Sequence, residues 1–526
     1  MLKSIICVVI LIQILIVMVE EAIYFENMFQ LNGYHRNEFW SWIYKNRYVY
    51  LGKEFPVLLA LLCTLTGTTV GMIFAVLFLL PAISTNRVRV KRKPLVYTAR
   101  VKRMLVTLAC VELLVLVLVL LLVDLYAVVI AGMLLLCVSP FLVLLADFIN
   151  KPIEYGVKQY YINDAKKILK SMDGLKIIGV TGSFGKTSVK NFLKTLLSAK
   201  YNVLMTPLNY NTPMGIVKTV RTELKPIHEI FICEMGARYV GDIKEDCDIA
   251  KPDLGVLTAI GYQHLETFGS IDNIIKTKYE LAEAIPADGK LIVNADNEFI
   301  MQNREKYASH LQVVTYAKEN QEAEFFPYDI ALSEKGTTFK MDFPEGNGTR
   351  TAAFQTKLIG THNILNIAGA IAVAYHLGVK LEDIILQVRK LEPVEHRLQM
   401  VVSTEKKIVI DDAYNSNPTG AAQALEVLNV FEGCKILVSP GMVELGEKEY
   451  ELNKQFAANA TGVCDYIICV GRKRAKPFED AVAETGYPAE RFYVATGLKD
   501  AMAYAENIAS QQRKVILLEN DLPDNY

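Results

Sequence analysis

Gly179-Val180-Thr181-Gly182-Ser183-Phe184-Gly185-Lys186-Thr187-Ser188 closes the apolar, strand-like run Leu175 to Val180 and leads into a helical pattern from Val189 to Leu197. Gly182 to Thr187 fits the phosphate-loop pattern G-x-x-x-x-G-K-[ST] with two spacing residues short, so Gly179 or Thr181 is expected to supply the first turn. Backbone N–H groups at a helix N-terminus cradle phosphate oxygens, Lys186 neutralises the β/γ charge and Thr187 holds a divalent cation. Gly179, Thr181, Gly182, Ser183, Gly185, Lys186, Thr187 and Ser188 are therefore the candidate nucleotide-binding residues.

Outward from this loop, composition divides the 526 residues in two. The chain is 52% hydrophobic, with the excess in the first 150 positions. Four apolar runs, about 4–19, 56–83, 105–123 and 126–145, predict a multi-pass transmembrane region over 1–150. The first run has no small-residue cleavage site after it, only Glu20-Glu21, and reads as a retained anchor. Arg87, Arg89, Lys91, Arg92, Lys93, Arg100, Lys102 and Arg103 sit between the second and third runs without an acid. The positive-inside rule places that segment, both termini and the soluble part in the cytoplasm, and residues 20–54, with Trp40 and Trp42, outside. Glu112 falls within the third run, where an unpaired charge is costly, so a functional role is its default reading.

The net charge of −1 and the lack of a basic stripe in the soluble part give no reason to expect nucleic acid. Nine scattered cysteines with no C-x-x-C pair argue against a zinc site or a disulfide framework.

From Lys151, strand-like runs alternate with amphipathic helices, the pattern of a parallel sheet with crossover helices. A polar, alternating stretch from Ala323 to Leu358, with Gly346-Asn347-Gly348, predicts a small antiparallel insert; an alanine-rich helix from Asn363 to Leu377 follows. A second alternating series from Arg397 predicts a Rossmann-like α/β domain without a dinucleotide fingerprint.

Glu234 ends the apolar run Ile230-Phe231-Ile232-Cys233, where a carboxylate beside a phosphate loop suits Mg2+. With Glu234-Met235-Gly236-Ala237 and Gly241-Asp242-Ile243 the chain resembles the Mur ligase superfamily, in particular its branch that adds D-alanyl-D-alanine. The resemblance continues through Asn209-Tyr210-Asn211, His264-Leu265-Glu266, Lys278-Tyr279-Glu280, Asn294-Ala295-Asp296 and Gly360-Thr361-His362-Asn363-Ile364-Leu365-Asn366. It extends to His396-Arg397-Leu398, Asp411-Asp412-Ala413-Tyr414-Asn415-Ser416-Asn417-Pro418 and Gly441-Met442-Val443-Glu444-Leu445-Gly446.

The resemblance implies an α/β fold in which four transmembrane helices precede a central P-loop ATPase domain (151–396, parallel sheet with a small β insert) and a C-terminal domain (397–526). It implies ATP and Mg2+ as cofactors, with Thr187, Glu234 and His264 at the metal. Lys278 looks like the family's carbamylated lysine, whose bound CO2 makes an amine into an anionic ligand. Lys186, His264, Lys278 and Arg397 would be catalytic. Asn363 and Asn366, one helix face apart by three residues, look like adenine contacts, and Arg397 and Asp412 like groups closing over ATP. Asn209, Asn211, Asn415 and Asn417 look like substrate contacts.

Three departures stand out. Apolar runs occupy the place of the family's UDP-binding domain. Leu518-Glu519-Asn520-Asp521 replaces the usual Lys-Gly-Ser word, and Ser439-Pro440-Gly441 replaces a segment in which an aspartate commonly precedes the methionine. The expected function is a membrane-anchored, ADP-forming ligase. It would join D-alanyl-D-alanine or a similar amine, through an acyl phosphate, to a cell-wall precursor peptide at the inner face of the plasma membrane, with membrane lipid as a further partner. A synthetase for another polymer, similar to poly-γ-glutamate synthetases, and a nucleotide-regulated membrane sensor or transporter are the alternatives.

Overall fold

The computed structural model describes residues 2–87, 94–208, 210–345, 348–413, 417–443 and 445–520. Asn209, Tyr414, Asn415, Ser416, Glu444, Gly346, Asn347 and the basic residues Arg89, Lys91, Arg92 and Lys93 lie outside the described residues. The chain divides into two compact units, Met1–Gln159 and Tyr160–Leu522, the boundary falling within the helix Ser139–Lys170.

The first unit is helical: Leu2–Leu31, Arg36–Lys45, Arg47–Leu65, Thr69–Arg87, Ala99–Leu122, Leu125–Cys137 and the start of Ser139–Lys170. Among the described residues, Leu2–Leu31 and Ala99–Leu122 are long and apolar enough to cross a bilayer. The pair Leu125–Cys137 and Ser139–Lys170, bent by 81°, makes a third if it is one broken span. Four spans are thus not what the helices give. The run 56–83 breaks at 66–68, where Gly67 takes φ +66°, a turn that other residues adopt at a cost. The run 126–145 breaks at Val138, just before Pro140, whose ring has no N–H to donate.

Contacts along the first helix fix which segments share an end of this bundle. Lys3 Nζ donates to the Gly67 carbonyl at 2.9 Å, and Lys3, Gly67, Asp124 and Tyr126 line one cleft. Twenty-seven residues on, about 40 Å of helix, the Gln30 amide donates to Val96 O and accepts from Val96 N, both at 2.9 Å. Arg100 lies 3.9 Å from the centre of the Tyr34 ring, and Arg36 and Arg100 both pair with Asp147, at 2.7 and 3.1 Å. The middle of 20–54 therefore meets the segment beside the basic run, whereas the sequence reading had put the two on opposite faces. If the basic run is inside, Lys3 is outside, again opposite to expectation.

In the second unit, β1 (Lys176–Thr181), β2 (Val203–Met205), β3 (Ile230–Glu234), β4 (Leu254–Leu257), β5 (Lys290–Asn294) and β6 (Gln312–Tyr316) form a parallel sheet ordered β2-β3-β1-β4-β5-β6. β3 and β4 are buried at every position, as strands covered by helices on both faces must be. β1 lies between β3 and β4 where the strand order reverses, and at such a point the C-terminal strand ends open a crevice for ligands. The expected insert is present as the antiparallel meander β7 (Tyr328–Ser333), β8 (Gly336–Glu345) and β9 (Gly348–Thr356).

The last sheet holds β10 (Gln399–Ser403), β11 (Lys407–Asp412), β12 (Cys434–Ser439), β13 (Tyr466–Val470), β14 (Phe492–Ala495) and β15 (Lys514–Glu519), ordered β10-β11-β15-β12-β13-β14. β10 is its antiparallel edge, which makes the sheet mixed. Linker residues His396 and Leu398 adopt left-handed backbone, φ +58° and +48°, and side chains of β11 hold them there. Asp411 bonds His396 Nδ1 at 2.6 Å, and Asp412 accepts from Leu398 N at 3.2 Å.

Candidate functional site

The loop Gly182–Gly185 joins the end of β1 to the helix Lys186–Leu197, whose first residue is preceded by Gly185 at φ +84°. A Cβ on Gly182 (φ +153°) would stand 2.1 Å from Thr258 Oγ1, so the loop closes tightly on the segment after β4. Ser183 N donates to Ala259 O at 2.7 Å, Gly261 N donates to Ser183 Oγ at 3.0 Å, and Thr258 Oγ1 donates to Phe184 O at 2.5 Å. Gly179 does not belong to this loop. It sits inside β1, where a Cβ would meet Leu281 at 2.6 Å, so its small size serves strand–helix packing. Thr181 ends the strand with its hydroxyl committed to Met235 O at 2.9 Å. The turn begins at Gly182.

Lys186 Nζ curls back to donate to Gly182 O (2.6 Å) and Ser183 O (3.2 Å). Burial lowers its pKa to about 8, Glu234 acting against the shift and Arg397 adding to it. One residue on, Thr187 Oγ1 donates to Glu234 Oε1 at 3.2 Å, and the Asn211 amide donates to the same oxygen at 3.2 Å. Lys190 Nζ is 2.9 Å from the other carboxylate oxygen. Burial raises the Glu234 pKa, but Lys190 and Lys186 outweigh it, and the carboxyl titrates below its ordinary range.

Lys278, on the helix Ile271–Ala284, is 3% exposed and makes no hydrogen bond or ion pair among the described residues. Burial first, then Lys186, lower its pKa to about 7, against Asp242, Asp246 and Glu280. His264 sits half-buried at φ +54°, just before the short helix Leu265–Phe268. Among the described residues no group of three or more His, Cys, Asp or Glu side chains stands ready to hold a metal, so His264 and Glu234 form no ready-made cage.

Nucleotide and Mg2+ fit these residues. The loop has no room for a Cβ at Gly182, its lysine donates to loop carbonyls, and Thr187 offers a hydroxyl beside a carboxylate. Mg2+ takes one or two such hard ligands and keeps its other positions for water and phosphate oxygens.

The remaining candidates come from elements around the loop. Asn366 Oδ1 would be 2.8 Å from a Cβ on Gly185, which places it against the phosphate loop. Asn363 uses its amide on Ile359 O at 2.8 Å, and shares a cleft with Ser188 and Arg397. Asp412 is pushed up to about 6 by burial, which Arg397 and the Leu398 N–H oppose. Asn417 caps the helix Pro418–Val430, accepting from Gly420 N at 3.0 Å. It also borders a cleft of about 280 Å³ with Phe184, Gly261, Tyr262 and Asn297. Lys190, Thr258 and Asn297 were not foreseen, and for Lys190 nothing in the surrounding sequence marks it as buried.

At the two departures from the family pattern, Ser439 Oγ donates to Glu519 Oε2 at 3.0 Å and Asn520 Nδ2 donates to Gly441 O at 2.6 Å. Asn520 takes φ +66°, the backbone a glycine would supply, and asparagine is among the few other residues that adopt it readily.

Comparison with known proteins agrees with this geometry. The Mur ligase middle domain matches residues 180–374, and the Mur ligase glutamate ligase domain matches 396–519, together more than half of the chain. The UDP-N-acetylmuramoyl-tripeptide--D-alanyl-D-alanine ligase of Escherichia coli (strain K12) is 28% identical over 337 residues, which cover 62% of this chain and 73% of that one. The ligase of the same name from Bacillus subtilis (strain 168) is 32% identical over 296 residues, 56% of this chain; the chain spans only 62% of that relative's length. A crystal structure of MurF from Acinetobacter baumannii superposes with a TM-score of 0.62 at 26% identity, over 70% of this chain and 78% of that one. MurF from Thermotoga maritima, solved with ADP, gives a TM-score of 0.60 at 25% identity, over 69% and 80%. A phosphate loop alone leaves many enzymes open, but one followed by both of these domains in order does not: the chain belongs to the Mur ligase family of ATP- and Mg2+-dependent ligases.

Proposed function

We propose that the chain is a membrane-anchored, ADP-forming amide ligase that adds D-alanyl-D-alanine, or a similar amine, to the peptide of a cell-wall precursor. The observation that carries this reading is the Thr187–Glu234 pair at 3.2 Å beside the Lys186 cradle, with the buried Lys278 close enough for the Lys186 charge to act on it. A carboxylate oxygen of the acceptor attacks the γ-phosphorus, the bond to the β–γ bridging oxygen breaks, and ADP leaves. The neutral amine then adds to the acyl-phosphate carbonyl; collapse expels inorganic phosphate, and the nitrogen gives up a proton to solvent. Lys186 and the helix N–H groups bear the charge growing on the leaving oxygens. Arg397 adds positive charge from the C-terminal domain, and exclusion of water protects the mixed anhydride.

Thr187 and Glu234 would hold Mg2+, with His264 beside them, and a carbamylated Lys278 would be a ligand for a second Mg2+. Bound Mg2+ neutralises phosphate charge. A neutral amine is what CO2 needs to form a carbamate, and burial, by lowering the Lys278 pKa to about 7, raises the neutral share far above that of an exposed lysine. Asn211, Asn417 and, beyond the described residues, Asn209 and Asn415 are read as substrate contacts. Asn363, Asn366 and Asp412 are read as nucleotide contacts. The helical unit is read as an anchor in the plasma membrane with the ligase unit on the cytoplasmic side.

The test is phosphate release by the detergent-purified chain. Release that requires both an amine and a tripeptide acceptor, offered in UDP-linked and lipid-linked forms, is the expected result. Turnover indifferent to either substrate would overturn the proposal.

A further inference from the structure

Lys190 is a buried cation that the ligation chemistry above does not use. Its side chain and that of Glu234 are 1% and 2% exposed, and such a charge is stable only when closely paired. The ammonium lies 2.9 Å from Glu234 Oε2 and donates to the Leu208 carbonyl at 2.7 Å. Leu208 has its backbone in the left-handed region, φ +44°, with 72% of its side chain exposed, so nothing apolar holds it in that shape. The segment around it is fastened to the end of β3 on both sides: Glu234 N donates to Thr206 Oγ1 at 3.1 Å, and Gly236 N donates to Asn211 O at 2.7 Å. Glu234 thus divides its oxygens. Oε1 faces Thr187 and Asn211, and Oε2 faces the lysine.

We infer that Lys190 is a positioning residue that ties the metal carboxylate to the acceptor-side segment 206–211. By engaging Oε2 it keeps Oε1 turned toward Thr187, where the cation would sit, and by holding Leu208 O it makes the shape of 206–208 depend on where Glu234 stands. This inference rests on reading Glu234 as the Mg2+ ligand. Occupancy of the metal site and order at 206–208 then rise together.

The experiment uses the full chain in detergent, with Mn2+ as an EPR-visible probe in the presence of ADP and with hydrogen exchange read over 206–208, at the amides of Thr206 and Leu208, since Pro207 has none. Lys190→Met should weaken Mn2+ binding about tenfold or more, the usual effect of removing a partner that orients a metal ligand. Metal-free ADP binding should stay within about twofold, because the phosphate loop is untouched. Exchange at 206–208 should rise in the variant before any ligand is added. Glu234→Gln should lose Mn2+ while its Lys190–Leu208 link persists, so exchange there should rise less. Unchanged Mn2+ affinity together with unchanged exchange in a folded Lys190→Met overturns the inference. Should that variant not fold, the wild type decides: Mn2+ with ADP should slow exchange at 206–208, and no change there overturns the inference. A wild type that binds no Mn2+ alongside ADP overturns instead the reading of Glu234 on which it rests.

Discussion

At the scale of single residues, burial sets the chemistry. Lys278 is an amine brought to a pKa of about 7 in a place where it makes no hydrogen bond among the described residues, which suits a group that must react with CO2 before it can serve a metal. Lys278→Ala should lower kcat by about 10²-fold or more, since it removes charge from a preorganised centre. Short carboxylic acids should restore part of the rate; full activity without them would end that assignment. His362 offers a test of stability. Burial, then Lys318, lower its pKa from 6.5 to about 4, so the folded chain holds it neutral. Between those values the unfolded chain binds the proton more readily. The stabilisation is therefore complete above pH 6.5 and is lost as the pH falls toward 4, worth roughly 2 kcal/mol for a partly exposed ring. Melting followed from pH 7 to pH 5 should fall more steeply for wild type than for His362→Gln; parallel curves would show that the ring is not the cause. The residues legible beforehand were those with a motif around them. Lys190 was not, because a lysine on a helix reads as a solvated one unless the partner that buries it, here Glu234, is known.

At the scale of elements, fully buried strands were the easiest to read: Ile230 to Cys233 is apolar without a break because both faces of β3 are covered. β10 was missed because it is an exposed edge whose pairing to β11 carries a bulge, and neither property marks a sequence. Hydropathy also joined what the backbone separates. Thr66-Gly67-Thr68 are mild enough to vanish into an apolar run, yet Gly67 turns the chain there. The opposite error came at Glu20-Glu21, read as the end of a helix that continues to Leu31. Glu21 is accommodated because Ser139 Oγ donates to it at 2.5 Å. The phosphate loop gives the sharpest prediction at this scale. A methyl group on Gly182 has no room, 2.1 Å from Thr258 Oγ1 and 2.9 Å from Ala259 N. Gly182→Ala should weaken ADP binding by at least about tenfold, ~1.4 kcal/mol, as measured by titration calorimetry at a temperature where the variant is still folded, and the clash should also lower its melting point. Tight binding in that variant would mean that phosphate sits elsewhere.

At the scale of the whole molecule, the order of contacts along Leu2–Leu31 reverses the first reading of the membrane region. Lys3 keeps company with Gly67, and Gln30 with Val96, at opposite ends of one helix. With the basic segment inside, a membrane-impermeant maleimide on intact cells should label Ser4→Cys, and should reach Val96→Cys only after permeabilisation. The reverse pattern would invert the orientation, and labelling of both from one side would contradict the helix itself. That two units differ so much in composition has a spectroscopic outcome. The chain has two tryptophans, Trp40 and Trp42, and both sit in the helix Arg36–Lys45. Trp42 lies flat on Phe39 at 6.0 Å, whereas Trp40 is 49% exposed. Emission excited at the red edge therefore comes from the helical unit alone, and the ligase unit is dark. Any change in that light when a nucleotide is added would have to be a message carried from one unit to the other, readable without attaching a single dye.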